Sequence, residues 1–260
     1  MKDDPRKEHQ AAILDQFSRQ AVPFSQQQAH SKESFLNLLL EMSGVGPADT
    51  VLDVACGPGL VACAFAARAQ HVTGIDLTPA MIARAQEIQR EQGLTNLTWQ
   101  IGNVLPLPFP DGAFSLVVTR YTFHHFLDPQ AVWAEMVRVC RPGGTVLVAD
   151  VTMAPEKRDF FDVEEKLRDP SHTRTLTPAE FLQMAEALKL REIRHQFVKS
   201  ERNLEAHLKA SFPNPGDGEK IRRLFREDIG QDALGLGAHW QGDQIHFAYP
   251  IMILVGKKNA

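Results

Sequence analysis

The sequence predicts an α/β protein built on a doubly wound, mostly parallel sheet of seven strands, with helical cap insertions. Short apolar strands alternate with helices between residues 51 and 150, and this alternation is typical of parallel strands joined by right-handed crossovers. A glycine-rich turn, Cys56-Gly57-Pro58-Gly59, directly follows the first of these strands. Ligands bind at the carboxyl ends of the strands in such sheets, so the turn is a candidate binding site.

The individual elements are predicted from apolar periodicity and from turn residues. Between residues 51 and 150, strands are expected at 51–55, 71–76, 97–101, 115–120 and 144–150, with helices at 61–70, 79–92 and 129–140. Beyond residue 150, helices are expected at 156–168 and 178–189, strands at 191–199 and 244–255, and a helical, loop-rich segment at 201–243. Thr177-Pro178-Ala179-Glu180 has the residues of a capping box with proline at the first helical position.

The amino-terminal residues are predicted to form two helices. One spans residues 7–20 and ends before Ala21-Val22-Pro23, and the other spans residues 31–42. The chain then divides into an amino-terminal helical segment (1–45), an α/β core (46–150), and a part of the same domain (151–260) that holds the cap elements and the last two strands.

Length and charge limit the classes of partner. A chain of 260 residues is long enough for one α/β domain with a large core and an appended subdomain. The formal net charge of −4 gives no basic footprint for nucleic acid, which leaves a small molecule as the simplest partner. The amino terminus is unlike a signal peptide, and no apolar run approaches the roughly 20 residues of a membrane span. We therefore expect a cytoplasmic protein, either a monomer or a homodimer.

No metal site is expected from the sequence. The three cysteines, Cys56, Cys63 and Cys140, fall on predicted core elements without CxxC or Cys/His spacing, so we expect buried thiols. Asp150 and Asp169 are acids, but their spacing does not indicate the clustered carboxylates that a divalent cation needs.

Asp76 is the strongest candidate for an acid that binds a ligand. It ends the strand after the glycine-rich turn, where a carboxylate can accept hydrogen bonds from both hydroxyls of a ribose. Its competing role would be to cap the next helix, but Thr78 and Pro79 already supply an N-cap and a first-turn proline. We therefore expect Asp76 to be free for a ligand. The alternative for Gly57 and Gly59 is a tight turn without a ligand.

The residues of the turn also discriminate between ribose ligands. Gly57-x-Gly59-x-x-Ala62 fits the loose dinucleotide fingerprint. Pro58, however, has no N–H to donate to a pyrophosphate. Asp53, expected near the mouth of the turn, would repel phosphates and attract the ammonium and sulfonium groups of S-adenosylmethionine. The electrostatics therefore favour S-adenosylmethionine over a dinucleotide.

Five blocks in order carry a resemblance to a known family. They are VLDVACGPG at 51–59, GID at 74–76, GNVLPLPFPDGAF at 102–114, LVVTRYTFHHF at 116–126 and RPGGTVLVAD at 141–150. Together they resemble the class I S-adenosylmethionine-dependent methyltransferases, in particular the small-molecule branch of the ubiquinone/menaquinone-biosynthesis type (methyltransferase type 11). The resemblance covers residues 15–150 and implies a Rossmann-like fold whose sheet ends in an antiparallel hairpin. It also implies that the amino-terminal segment (1–45) is a helical lid over the cofactor; a packed connector is the alternative for these residues.

The resemblance also implies roles for particular residues. It places Asp53, Gly57 and Gly59 around the methionine portion of the cofactor and Asp76 at the ribose. It places Leu77 and Met81 at the faces of the adenine ring. Asn103 stands where the family usually has an aspartate that meets the adenine amino group, and its amide oxygen can accept the same bond. Val104 would supply a backbone N–H, and the backbone of Arg120 would approach the carboxyl side of the ligand.

Three histidines are candidates for catalysis. Methyl transfer requires an acceptor held in line with an electrophilic carbon, without a nucleophilic side chain. His124 and His125 follow a predicted strand at the crevice, and His172 lies in the cap; each imidazole could take a proton from the acceptor. Packing against the sheet and local hydrogen bonding are the alternative for each of them.

The leading hypothesis is therefore methyl transfer from S-adenosylmethionine to oxygen, carbon or nitrogen of a small metabolite. A dinucleotide-dependent oxidoreductase and a non-catalytic S-adenosylmethionine-binding module are the alternatives. The acceptor itself is not indicated by the sequence.

Overall fold

The computed structural model describes residues 5–29 and 33–259 and contains an eight-stranded sheet in the order β3-β2-β1-β4-β5-β8-β6, with β7 paired to β8. The strands are β1 (Thr50–Val54), β2 (His71–Asp76), β3 (Leu97–Ile101), β4 (Phe114–Arg120), β5 (Cys140–Val151), β6 (Arg191–Asn203), β7 (His239–Gln241) and β8 (Gln244–Lys257). Strands β1 to β5 are mutually parallel, and β8 runs antiparallel to β5 and β6. The predicted fold class is confirmed, and the short β7 is an addition that the sequence pattern did not indicate.

Helices cover both faces of the sheet. They are α1 (Pro5–Ala29), α2 (Glu33–Ser43), α3 (Leu60–Ala66), α4 (Pro79–Glu91), α5 (Pro129–Val139), α6 (Pro155–Arg168), α7 (Pro178–Ala187), α8 (Leu204–Ser211) and α9 (Asp217–Asp228), with a 3-10 turn at Phe123–His125. The strand order reverses at β1: the chain adds β2 and β3 beyond one edge of this strand and then returns to add β4 and β5 beyond the other. Crevices at such a switch point are where open α/β sheets bind ligands.

The alternation of side chains along β1 separates two hydrophobic cores. Leu52 and Val54 pack on one face of the sheet with Trp133 of α5, and Val51 packs on the other face with Phe65 of α3. A central parallel strand is buried on both faces, which explains its continuous apolar run. Asp53 lies between these residues and shares the face of Val51, because successive side chains of a strand point to opposite faces.

The amino-terminal helix is longer than the sequence pattern predicted. The expected end before Pro23 is wrong, because α1 continues through Pro23 to Ala29. A proline inside a helix removes one backbone hydrogen bond, and tertiary contacts on both sides of it hold the helix. Gln20 Nε2 donates to the carbonyl of Ser211 at 2.8 Å, and Ser25 Oγ accepts a hydrogen bond from Arg84 Nε at 3.1 Å. The second helix begins at Glu33; its predicted start at Ser31 lies outside the described residues.

The predicted capping box at the start of α7 is present. Thr177 Oγ1 accepts from the backbone N–H of Glu180 at 3.2 Å, and Glu180 Oε2 accepts from the backbone N–H of Thr177 at 2.8 Å. These bonds satisfy backbone N–H groups that a helix terminus leaves without intrahelical partners.

We expect Thr177→Ala to lower the free energy of unfolding by about 1 kcal/mol, because the cap hydrogen bond is lost while the backbone remains. Thr177→Ser keeps the hydroxyl and is expected to cost less. Urea denaturation of the three proteins measures the difference; equal midpoints for the alanine variant and the parent would contradict this role for the cap.

Candidate active site

The glycine-rich turn connects β1 to α3, and its two glycines have different functions. Gly57 has φ +53° and a Cβ added there would meet nothing within 4 Å. Gly59 has φ +78°, and its added Cβ would lie 2.5 Å from Trp99 Cη2 and 2.8 Å from Ala85 Cβ. Both positions favour glycine for their left-handed backbone. Gly57 in addition leaves open space on the cavity side, whereas Gly59 allows α3 to pack closely on its neighbours.

Asp76 lies at the carboxyl end of β2 and holds the turn. Its Oδ2 accepts from the backbone N–H of Gly57 at 2.8 Å, and its Oδ1 accepts from the backbone N–H of Thr78 at 2.8 Å. The side chain of Thr78 makes no capping hydrogen bond to α4. Thr78 and Pro79 occupy the predicted N-cap and first-turn positions, but the expectation that Asp76 is free for a ligand is wrong, because its carboxylate already accepts two backbone N–H groups. The carboxylate keeps acceptor capacity beyond these bonds, and the residue borders the cavity.

Asp53 lies beneath the turn and not at its mouth. The side chain shares the face of the sheet that α3 covers, the residue is 1% exposed, and it does not border the cavity. Its Oδ2 accepts from the backbone N–H of Ala62 in the first turn of α3 at 3.0 Å. Burial raises the pKa of Asp53 to about 7, while Arg120 and the Ala62 N–H lower it. The prediction that Asp53 lies at the mouth of the turn is therefore wrong, because the alternation of side chains along β1 directs this carboxylate toward α3.

A cavity of about 500 Å³, called here the main cavity, opens above the turn. Its floor consists of the ends of β1, β2 and β4, and its roof is one face of α1, with Ile13 and Phe17. Volumes of this size are typical of small-molecule and cofactor sites. The α1 residues, which also include Arg6, His9 and Gln10, were not singled out by the sequence, since no motif marks them.

Seven of the nine predicted cofactor residues border the main cavity. They are Gly57, Asp76, Leu77, Met81, Asn103, Val104 and Arg120. The amide oxygen of Asn103 accepts from the backbone N–H of Leu105 at 3.1 Å, so part of its acceptor capacity is used locally. The Arg120 guanidinium lies 5.0 Å from the ring centre of Tyr121, and burial lowers its pKa. Gly59 and Asp53 do not border the cavity; they support the turn from below.

A second, smaller cavity of about 80 Å³ adjoins the first and is called here the inner chamber. Both cavities are bordered by Phe17, Tyr121 and His125. Most other walls of the inner chamber are polar and come from the 3-10 turn, from α6 and the residue after it, from α8, and from β6 and β8. They include His124, Glu165, Arg168, Asp169, Arg202 and Tyr249.

The three candidate histidines form a buried row. Ring centres are 4.2 Å apart for His124 and His125, and 5.7 Å apart for His124 and His172. His125 borders both cavities, His124 borders the inner chamber, and His172 borders neither. His172 Nε2 pairs with Asp162 at 2.8 Å, which holds this ring within the cap. The structure thus does not bring His172 to the site.

The histidines differ in their hydrogen bonds. His124 Nδ1 lies 2.6 Å from Asp150 Oδ1, while His125 Nδ1 lies 3.1 Å from the carbonyl oxygen of Ser171. Burial opposes protonation of His124, but Asp150 outweighs it and raises the pKa. Burial, together with the neighbouring His124, lowers the pKa of His125 to about 3. At neutral pH, His125 is therefore an uncharged imidazole.

Among residues 5–29 and 33–259, no three His, Cys, Asp or Glu side chains are grouped so that they could hold a metal ion. Cys56, Cys63 and Cys140 are buried and not disulfide-bonded. Within the same ranges, no helix has the length and apolar character needed to cross a bilayer.

Comparisons with known proteins agree with this geometry. Residues 52–148 match the family described as a methyltransferase domain. The uncharacterized methyltransferase YcgJ of Bacillus subtilis is 29% identical over 248 residues, which cover 93% of this chain and 97% of YcgJ. The crystal structure of YcgJ superposes with a TM-score of 0.80 at 25% identity, over 86% of this chain and 98% of that one.

Two further solved structures share the fold. A putative methyltransferase from Bacillus halodurans (BH2331) has a TM-score of 0.80 at 23% identity and covers 87% of this chain and 100% of its own. Geranyl diphosphate C-methyltransferase from Streptomyces coelicolor, crystallised with S-adenosyl-L-homocysteine, has a TM-score of 0.62 at 17% identity and covers 86% and 78%.

The site thus has a glycine turn after one parallel strand, an acid at the end of the next strand and a cavity above both, at the place where open α/β sheets bind ligands. The methyltransferase-domain match of residues 52–148 and the similarity of nearly the whole chain to YcgJ in sequence and fold support an S-adenosylmethionine-dependent methyltransferase, as the five sequence blocks predicted. These similarities favour the methyltransferase over the dinucleotide-dependent oxidoreductase as the interpretation of the glycine pattern.

The buried Asp53 predicts a pH dependence of stability. Its pKa is raised from 3.8 to about 7 in the folded protein. The native state then binds more protons than the unfolded state between those values, so the free energy of unfolding falls as the pH rises through this window. Asp53→Asn removes that contribution. Relative to the parent, we expect the variant to gain about 4 kcal/mol between about pH 4 and pH 8.

Urea denaturation of the cofactor-free proteins at several pH values measures this effect. Asp159→Asn, which changes an exposed carboxylate on α6, is the control and is expected to follow the parent. The same pH dependence in Asp53→Asn and in the parent would show that Asp53 titrates normally in the folded protein.

Proposed function

We propose that this methyltransferase transfers the methyl group of S-adenosylmethionine to an oxygen, carbon or nitrogen atom of a small-molecule metabolite by in-line displacement. The observation that carries the proposal is the main cavity, which extends from the Gly57–Asp76 side of the sheet to Thr122 and His125 under the roof of α1. One cavity thus joins the glycine-rich turn to a second region beside the 3-10 turn.

The residues on the β1–β2 side fit the cofactor. Gly57 leaves open space beside the turn, and Asp76 retains acceptor capacity for ribose hydroxyls. Leu77 and Met81 are apolar and adjacent to it, as required for the faces of an adenine ring. Asn103 and Val104 border the same side. In this proposal Arg120 lies at the methionine end, with Asp53 and Gly59 supporting the turn from beneath.

The chemistry demands little covalent participation from the protein. When bound, the cofactor supplies a methyl carbon made electrophilic by a sulfonium. The chain's own residues hold the acceptor in line with that carbon and exclude water. Phe17 and Ile13 of α1, with Phe126, give the acceptor side an apolar wall. An acceptor with a partly apolar body fits these surroundings.

The roof is attached to the acceptor side by specific hydrogen bonds. His9 Nε2 of α1 donates to the carbonyl oxygen of His125 at 2.6 Å. Gln16 Nε2 and Gln20 Nε2 both donate to the carbonyl oxygen of Ser211, at 2.6 and 2.8 Å. A roof held by these contacts limits the site to ligands that fit inside it, which favours a small molecule over a polymer.

We expect Asp76→Ala to weaken binding of S-adenosylmethionine by about 1 to 3 kcal/mol, because a charged hydrogen-bond acceptor for the ribose is removed. Asp76→Asn keeps one acceptor oxygen of similar size and is expected to lose less. Calorimetric titration of the purified proteins measures both affinities, and thermal unfolding of each variant checks that the turn remains folded.

Asp159→Ala on α6 is the matched control and is expected to bind as the parent does, since this exposed aspartate lies outside the cavity. Unchanged affinity in a folded Asp76→Ala variant would show that the ribose assignment is wrong. Binding of NADH in place of S-adenosylmethionine would overturn the assignment of the whole turn.

Methyl transfer itself is tested by incubating the protein with trideuteromethyl S-adenosylmethionine and a small-molecule extract. Mass spectrometry is expected to find one or a few compounds that gain the labelled methyl group, together with S-adenosylhomocysteine. Tight cofactor binding with no labelled compound would favour a non-catalytic binding module.

A further inference from the structure

One histidine that borders the inner chamber, His124, is held in a fixed arrangement by a buried carboxylate behind it. Asp150 is 1% exposed, and its Oδ1 pairs with His124 Nδ1 at 2.6 Å. Its Oδ2 accepts from the backbone N–H of Thr122 at 3.0 Å and from that of Phe123. The carboxylate is thus held by the turn that carries the histidine, so both groups have one relative orientation.

This arrangement determines the tautomer of His124. The ionised carboxylate of Asp150 can only accept a hydrogen bond, so Nδ1 of His124 must donate one. The neutral ring therefore carries its hydrogen on Nδ1 and a lone pair on Nε2. Among the residues that the structure describes, none makes a hydrogen bond to Nε2. Because the ring borders the inner chamber, Nε2 is the atom that can take a proton from a ligand there.

The neighbouring histidines are less suited to this task. His125 has a neutral carbonyl oxygen of Ser171 at Nδ1, and burial lowers its pKa to about 3, so its imidazole is a weak base. His172 pairs with Asp162 but borders neither cavity. His124 alone of these three combines a carboxylate partner with contact to the chamber.

The entrance of the chamber indicates the shape of its ligand. Phe17, Tyr121 and His125 border both cavities, so three flat rings lie where the two cavities meet. Phe17 and His125 pack edge to face with ring centres 5.0 Å apart. A planar aromatic body packs favourably against such a group of rings. The chamber beyond it is small and polar, as a hydroxyl group requires.

The charged groups that border the chamber balance in sign. Two are cations, Arg168 and Arg202, and two are carboxylates, Glu165 and Asp169. Arg168 is paired with Glu165 through two hydrogen bonds. A neutral hydroxyl enters such a chamber without adding an unpaired charge, whereas a carboxylate or phosphate would add one.

We propose that the methyl acceptor is an aromatic hydroxyl compound whose O–H enters the inner chamber, and that His124, oriented by Asp150, takes its proton. The oxygen lone pair forms the new O–C bond to the methyl group as the S–C bond breaks, and the sulfur keeps the electron pair of that bond. The proton moves to His124 Nε2, which gives an aryl methyl ether, S-adenosylhomocysteine and an imidazolium paired with Asp150.

In this proposal His124 is the catalytic residue and Asp150 a positioning residue. Asp150 stabilises the imidazolium through the Nδ1 bond and fixes the ring so that Nε2 faces the hydroxyl. The other charged and titratable groups around His124 are His125, Glu165, Arg168, Asp169 and His172. The proposal rests on the proposed function, since it names the acceptor of the same reaction.

The test uses 4-nitrophenol, whose phenolate absorbs in the visible region, with protein saturated by S-adenosylhomocysteine. We expect the probe to bind and to ionise more readily than in water, with an apparent acid dissociation constant raised about tenfold or more, because a proton acceptor backed by a carboxylate stabilises the phenolate–imidazolium pair. 4-Nitroanisole, which has no proton to lose, controls for spectral changes caused by the environment.

Variants distinguish an effect of the His124–Asp150 pair from a general effect on the structure. Asp150→Asn and His124→Gln are expected to bind S-adenosylhomocysteine as the parent does but to lose the increase in probe ionisation. Asp150→Glu, which restores the charge, is expected to recover part of it. His172→Gln is the matched control, because it removes another buried histidine–aspartate pair that borders neither cavity.

Each outcome has a defined meaning. Failure to bind S-adenosylhomocysteine would overturn the proposed function and, with it, this inference. Cofactor binding without binding of 4-nitrophenol, or with a bound probe that ionises as in water, would overturn the inference alone. Equal ionisation in Asp150→Asn and in the parent would remove the positioning role of Asp150, and equal loss in His172→Gln would show a merely structural effect.

Discussion

The carboxylate of Asp76 connects the two loops on which the cofactor side of the site depends. It accepts one hydrogen bond from the Gly57 N–H in the turn after β1 and one from the Thr78 N–H at the start of α4. Parallel pairing of β1 with β2 brings both loops to the same edge of the sheet. The same side chain thus shapes the turn and presents acceptor atoms to the main cavity.

Asp150 has a comparable position at the end of β5. It accepts backbone N–H groups of Thr122 and Phe123, which follow β4, and it also pairs with His124. Two acids at strand ends therefore organise the two sides of one crevice, the first on the proposed nucleoside side and the second on the proposed acceptor side. Cross-strand hydrogen bonding of this kind gives a loop-built site the rigidity of the sheet beneath it.

Local sequence signals predicted the elements well where local chemistry decides the outcome. The capping box at Thr177 and the apolar run of β1 were both recognised and are present. The end of α1 was missed, because contacts to Ser211 and Arg84, far away in sequence, hold the helix through Pro23. The burial of Asp53 was missed because it depends on which face α3 covers.

The sequence by itself determined the fold class, the glycine turn, the acid at the end of β2 and the family, because these depend on short-range patterns of apolar, glycine and acidic residues. Only the tertiary structure decided which of the three candidate histidines meets a cavity, that Asp150 is the partner of His124, and that α1 forms the roof. Those facts join residues far apart in the chain. They follow from strand order and helix packing, which no local pattern specifies.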